Sequence, residues 1–327
     1  MHRLLLVLLL LLPAPAFGGE PDAAPAPPSP ELQETLAAIA AVSITDKGPF
    51  LWRAESKRKK HKGVVYVTGS IHLGRPDLYP MHPAIEAAYG EADILAVEMD
   101  IGDPAASAAM AQELMKVALL PEGTTLKDLV GDRYEELKQA LWERQVPMVF
   151  ADPRRPLFVS MTLSLLEAVR TGWSPDLGVD KHFLDRARQD GKTILELEGM
   201  ERQLALFTDI SLEAQTKTLL DSLDMLGAMG AWVDRAWEAV RAGDDAALMA
   251  LEAIETGADE QSAEAAEFDD AMLGDRNREM VGKLVEHIRT GDGVMFVVVG
   301  ALHLPGEDGI VPLLEGTRGL QVARVAE

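Results

Sequence analysis

Residues 64–74 read Val-Val-Tyr-Val-Thr-Gly-Ser-Ile-His-Leu-Gly, and residues 295–306 read Met-Phe-Val-Val-Val-Gly-Ala-Leu-His-Leu-Pro-Gly. Each is an apolar, β-branched run that leads into Gly-x-x-His-Leu and a further glycine. β-Branched residues favour a pleated strand. A continuous rather than alternating apolar run predicts a strand buried on both faces. In open α/β sheets, ligands sit beyond the carboxyl ends of the strands. The repeated phrase therefore predicts two adjacent buried strands that bring His72 and His303 to one sheet edge.

Outward from these strands, Phe50–Glu55 is a second strand-like run, joined to Val64 by Ser-Lys-Arg-Lys-Lys-His-Lys at 56–62. Together they predict a β-hairpin with a charged, solvated turn. Ile94–Val97 predicts a strand ending at Glu98 and Asp100, and Thr193–Glu198 another. Pro147–Ala151 reads as a short strand, and Leu320–Val325 as a closing one. Helical patterns cover Pro30–Val42, Pro83–Tyr89, 105–120, 124–145, Leu157–Arg170 and Val179–Arg188, with Ser29 as the first N-cap and Gly191 as a stop. Residues 200–290 are mostly helical, and Met225, Met229, Trp232 and Trp237 are placed for a helical core. The alternation of strands and helices predicts an α/β fold. Its mixed central sheet opens with the hairpin, carries helices on both faces and bears a helical insertion or cap near 200–290.

The chain has 327 residues and a formal net charge of −22. That charge argues against nucleic acid or an anionic membrane as partner, since phosphate binding needs a basic footprint. No cysteine is present, which excludes disulfides, thiolate metal sites and cysteine nucleophiles. Residues 1–18 have the form of a cleavable signal: a short polar start, the apolar run Leu4–Leu12, then small residues. That run is well short of the roughly 20 residues that span a bilayer. A Pro/Ala-rich tether follows at 19–30, and a single domain at 31–327. The expected location is a bacterial periplasm or the exterior, with no stable membrane span.

His-Glu-x-x-His, P-loop, Gly-x-Gly-x-x-Gly and Gly-x-Ser-x-Gly signatures are all missing from the sequence. The chemistry rests instead on His72, His303 and Glu98 at strand ends. Two neutral imidazoles and a carboxylate suit a borderline divalent metal such as Zn, Mn or Co. Such an ion polarises carbonyls and acidifies bound water. Glu98 is either a ligand or the general base. Glu196, Glu198, Arg276 and Asn277 form a second tier. Arg276 would hold a substrate carboxylate or clamp Glu98, because a planar fork suits both. Tyr79 is a candidate to reach the site. Asp180, Asp185 and His182 read as surface residues of a helix, and His61, His82 and His287 as peripheral.

The ordered set Gly69-Ser-Ile-His72-Leu-Gly, Leu95-Ala-Val-Glu98-Met-Asp100, Leu177-Gly-Val-Asp180, Gly191–Glu198, Gly274-Asp-Arg276-Asn277 and Val297–Gly306 resembles the TraB/PrgY/GumN family, which includes the Tiki proteases. The resemblance implies a fold shared with erythromycin esterase-like and ChaN-like proteins. It also implies metal-dependent peptidase activity, with His72, His303 and Glu98 in the site. In the expected reaction Glu98 or Glu198 handles protons, and Arg276 orients substrate or stabilises developing charge. The alternatives it leaves open are a non-catalytic periplasmic peptide-binding protein and an esterase-type hydrolase. In each case the partner is a peptide or small-molecule substrate.

Overall fold

The two Gly-x-x-His phrases form neighbouring parallel strands. The computed structural model describes residues 29–256, 262–291 and 293–326. Six strands, β1 (Leu51–Ser56), β2 (Val64–Ser70), β3 (Ile94–Val97), β4 (Thr193–Glu196), β5 (Val294–Gly300) and β6 (Leu320–Arg324), make one sheet in the order β4-β3-β5-β2-β1-β6. β2, β5, β3 and β4 run parallel, whereas β1 is antiparallel to both β2 and β6. Gly69 pairs with Val299 and Ser70 with Gly300, so the two motifs leave the sheet side by side with a one-residue offset. Val97 faces Val298 across the other side of β5, which brings Glu98 to the same edge.

The first helices are α1 (Pro30–Ala41), α2 (Pro83–Glu91), α3 (Pro104–Val117), α4 (Leu126–Val130), α5 (Tyr134–Glu143), α6 (Met148–Ala151), α7 (Pro156–Arg170) and α8 (Val179–Asp190). After β4 come α9 (Met200–Asp209), α10 (Leu212–Met225), α11 (Met229–Arg241), α12 (Asp245–Thr256), α13 (Ala263–Asp269) and α14 (Asp275–Thr290). α15 (Ile310–Gly316) precedes β6. Helices cover both faces of the sheet, as expected of an α/β fold. α8 packs on β3, β4 and β5, and α14 on β1 and β2. α14 therefore belongs to the layer lying on the sheet, although it falls within the 200–290 stretch.

Local chemistry explains the boundaries. Ser29 Oγ accepts from the Leu32 N–H at 3.1 Å, with Pro30 at the first helical position. Gly191 closes α8 in the left-handed conformation at φ 70°. Val67, Leu95, Phe296 and Val298 are fully buried, as continuous apolar strands require. Met225, Met229, Trp232 and Trp237 are buried in the helical layer, and Trp232 Nε1 donates to the Leu251 carbonyl at 3.0 Å.

Two expectations change. Pro147–Ala151 is not a strand: Met148–Ala151 is helix α6, and the Pro147 carbonyl accepts from the N–H groups of Phe150 and Ala151. A run of four or five apolar residues fits either state, and a leading proline tips it towards a helix start. The helix expected over 124–145 breaks at Gly131, where φ is +57° and a short 3₁₀ turn intervenes between α4 and α5. The expected signal segment at 1–18 and the tether up to residue 28 lie outside the described residues. No helix among the described residues is long and apolar enough to cross a membrane.

Candidate active site

Each histidine is supplied by a strand and locked by a helix. His72 follows β2, and its Nδ1 lies 2.7 Å from Asp180 Oδ2 in the first turn of α8. Asp180 Oδ1 also accepts from Ser70 Oγ at 2.9 Å. His303 follows β5, and its Nδ1 lies 2.6 Å from Asn277 Oδ1 near the start of α14. Asn277 is held in turn, with Nδ2 donating to the Asp308 carbonyl at 2.8 Å. An acceptor at Nδ1 fixes the proton there and leaves Nε2 with a lone pair. His72 Nε2 is buried and has no hydrogen-bond partner among the described residues. His303 Nε2 stands 3.7 Å from Glu98 Oε1.

Glu98 sits between the two motifs. Its Oε1 accepts from the Gly300 N–H at 2.7 Å, and its Oε2 from Arg276 Nη2 at 2.8 Å and from Gln203 Nε2 at 3.3 Å. Arg276 reaches a second carboxylate, with Nε 2.5 Å from Glu198 Oε1 and Nη2 2.7 Å from Glu198 Oε2, while Nη1 caps the Met272 carbonyl at 2.9 Å. Gln203 bridges Glu198 as well, at 2.5 Å. The strand ends are tied to each other: the Glu98 carbonyl accepts from the Glu198 and Gly199 N–H groups. A π-turn at Asp270–Gly274 precedes α14 and lets Arg276 and Asn277 both face inward, on the stripe that continues through Met280, Leu284 and Ile288.

The side chains of His72, Glu98, Glu198, Arg276 and His303 are all fully buried. Burial pushes the Glu98 carboxyl up to about 7, assisted by Glu198 and Asp180 and opposed by Arg276 and His72. Desolvation pulls the His72 imidazole down, but Asp180, by charge and hydrogen bond, and Glu98 hold it above its ordinary value. Two carboxylates, those of Glu98 and Glu198, thus share one guanidinium, while Asp180 lies on His72.

With this arrangement in place, comparison with known proteins identifies the group. The profile described as the TraB/PrgY/gumN family matches residues 50–324. The chain belongs to the TraB/PrgY/gumN family. Proteins of Escherichia coli (strain K12) and Shigella flexneri, each named uncharacterized protein YbaP, are 27% identical to it over 148 residues. The match covers 44% of this chain and 52% of each relative, so this chain spans about half the length of the curated relatives it matches. No solved structure matches.

In this TraB/PrgY/gumN protein, six sequence-predicted residues converge: His72, Glu98, His303, Arg276, Glu198 and, through its bond to His303, Asn277. Of the two tasks open to Arg276, it clamps Glu98. Others stay apart. Glu196 is exposed and accepts from the Asp100 N–H at 2.7 Å. Tyr79 Oη donates to the Leu177 carbonyl at 2.7 Å, and its ring stacks on His182 at 4.1 Å. His82 caps α2 through Ala84 N–H, and His61 lies beside Ser56. Asp185 pairs with Lys181 on the surface of α8.

Asp180 overturns its surface assignment, being only 2% exposed and the partner of His72. Its position is three, four and seven residues before Phe183, Leu184 and Ala187, all fully buried. That spacing is the inward stripe of a helix, and it was the available signal. Gln203 had none of comparable strength.

Two cavities flank the centre. One of about 580 Å³ lies against Phe50, Thr68, Gly69, Tyr79 and Trp237. The other, of about 470 Å³, lies against Asn277, Leu302 and Asp308. Neither of these two is lined by His72, Glu98 or His303, whose side chains are themselves fully buried. Among the described residues, no three His, Asp or Glu side chains stand together as a ready metal-ligand group.

Proposed function

We propose that the protein is an exported, metal-dependent hydrolase acting on peptide bonds, with His72, His303 and Glu98 at its reaction centre. The observation that carries this reading is the pair of Nδ1 locks, Asp180 on His72 and Asn277 on His303. Metal-binding histidines characteristically give their second nitrogen to such a carboxylate or carbonyl oxygen, which fixes ring and tautomer. Charge supports it too. Glu98 and Glu198 share Arg276 alone, which leaves one negative charge in excess whenever Glu98 is ionised. Burying unpaired charge is strongly unfavourable, and a divalent cation offsets that excess.

The donors fit such an ion by chemistry: His72 Nε2, His303 Nε2 and Glu98 Oε1 would hold it. When bound, it supplies Lewis-acid polarisation of a carbonyl and acidification of water. The remaining work falls to the chain. Arg276 and Gln203 fix Glu98 and Glu198. Glu198, bonded to Arg276 by two oxygens, keeps the guanidinium from swinging onto substrate. Held at Oε1 by the Gly300 N–H and at Oε2 by Arg276, Glu98 is placed either as a ligand of the ion or as the proton acceptor for the reacting water. The closed walls exclude bulk solvent, which strengthens each of these interactions.

The test is elemental analysis of purified protein, reloaded with Mn, Co and Zn in turn, beside a His72→Ala/His303→Ala variant. The proposal expects stoichiometric metal in the wild type and none in the folded double variant. Equal metal in both, or none in either, rejects the metal assignment.

A further inference from the structure

The turn of the opening hairpin carries the densest positive charge in the sequence, and the reaction centre makes no use of it. Lys57, Arg58, Lys59, Lys60 and Lys62 are all exposed. The turn joins the C-terminus of β1 to the N-terminus of β2, whereas His72 leaves the other end of β2. Seven strand residues separate them, a span of about 23 Å at the usual rise per residue.

Two further segments bring cations to the same end. The Lys57 N–H donates to the Gly319 carbonyl at 2.9 Å, which sets exposed Arg318 beside the turn. Gly63 packs so closely on the His287 carbonyl at the end of α14 that a Cβ there would collide. Exposed Arg289 follows at once, and its Nη2 donates to the Arg318 carbonyl at 3.4 Å. The His61 imidazole is held below its ordinary value by desolvation and by Lys60, Arg58 and Arg289, which puts Arg289 within electrostatic reach of the turn.

None of these seven cations makes an ion pair among the described residues. Elsewhere in the same chain Arg133, Arg144, Arg186, Arg188 and Arg278 are all paired with carboxylates. Near the turn, Glu55 is taken by Arg53 at 2.5 Å, and Glu286 and Glu315 lie on the adjoining helix ends. Seven unpaired cations at one pole of a chain with 53 acidic and 31 basic residues is a sharp separation of charge.

We propose that this pole docks on the surface of an anionic lipid bilayer, with the hairpin turn against the headgroups and the catalytic edge of the sheet turned away. The turn offers no aromatic platform apart from His61, and neither cavity is lined by its residues. Nucleic-acid strands are bound through stacking surfaces and grooves, whereas a fluid sheet of charge needs only exposed cations. The net charge of −22 does not forbid this contact. Screening limits it to roughly 10 Å, so the bilayer meets the basic pole and little of the acidic remainder.

The experiment is co-sedimentation of the purified protein with phosphatidylcholine vesicles, with and without phosphatidylglycerol, at low and high salt. It is repeated with a variant carrying Lys57→Gln, Arg58→Gln, Lys59→Gln, Lys60→Gln and Lys62→Gln, and with Arg289→Gln/Arg318→Gln. Binding is expected only with phosphatidylglycerol, is lost at high salt, and weakens roughly fivefold per cation removed. Thermal midpoint and metal content should not change in either variant. Equal binding to both vesicle types, or undiminished binding by the five-site variant, would each overturn the proposal.

Discussion

Removing Arg276 while keeping its volume isolates the electrostatics of the buried centre. In Arg276→Met the guanidinium that bonds Glu198 through two nitrogens and Glu98 through one disappears, and all three side chains are fully buried. Breaking a buried ion pair from one side costs about 3–5 kcal/mol, because the partner charge is left uncompensated. The loss should depend on pH, with a definite sign. A carboxyl whose folded pKa is raised contributes its stability fully below the unfolded value, here 4.5, and that stability is lost as pH rises towards the folded value. In the wild type this window for Glu98 runs from 4.5 to about 7. Without Arg276, Glu98 loses the main charge that opposes its desolvation, and the window extends upward. Each pH unit inside it costs about 1.4 kcal/mol per group. Urea unfolding of metal-stripped wild type and variant should therefore show the full loss at about pH 8 and less than half of it at about pH 5. A loss under about 1 kcal/mol at the higher pH, or equal losses at both, would refute the reasoning.

Three further outcomes follow from single contacts. Asp180→Asn keeps the shape beside His72 but removes the Asp180 charge, leaving desolvation as the dominant influence, so the His72 pKa in metal-stripped protein should fall in an NMR titration, and metal affinity should drop about 10–100-fold. Gly178→Ala places a Cβ against the His72 carbonyl. It should lower the thermal midpoint and metal affinity together, whereas Gly282→Ala, which meets nothing, should lower neither. Asp244 accepts from the Thr45 and Ala247 N–H groups and pairs with Lys47 at 2.7 Å. Although burial raises its pKa, these partners depress it overall. Asp244→Ala should cost about 2 kcal/mol at neutral pH, and acid denaturation should show that difference fading as pH falls below 3.8.

The frame of the fold was legible because it rests on signals that survive translation into three dimensions. Two β-branched runs ending in Gly-x-x-His became β2 and β5 side by side, and Glu98 followed its strand to the same edge. Arg276 was legible as a fork beside Asn277, though not as the clamp on two carboxylates at once, since that needs the pairing of β3 with β4. Asp180 was misplaced because a helix rich in charge looked solvated throughout; its buried face appears only when Phe183, Leu184 and Ala187 are read as its stripe. Met148–Ala151 was too short for periodicity to separate strand from helix. The basic turn at 56–62 was correctly seen as a hairpin tip, but the sequence held no sign that Arg289 and Arg318 would join it.

The central claim is that His72, His303 and Glu98 hydrolyse peptide bonds with a divalent cation. Its most direct test is a peptide-library digest by metal-loaded wild type and Glu98→Gln, read by mass spectrometry. The account predicts new peptide termini with the wild type, none after chelation, and a loss of about 10²–10⁴-fold in rate with Glu98→Gln. Peptides bound but returned intact by the metal-loaded wild type would contradict it and mark the protein as a binder.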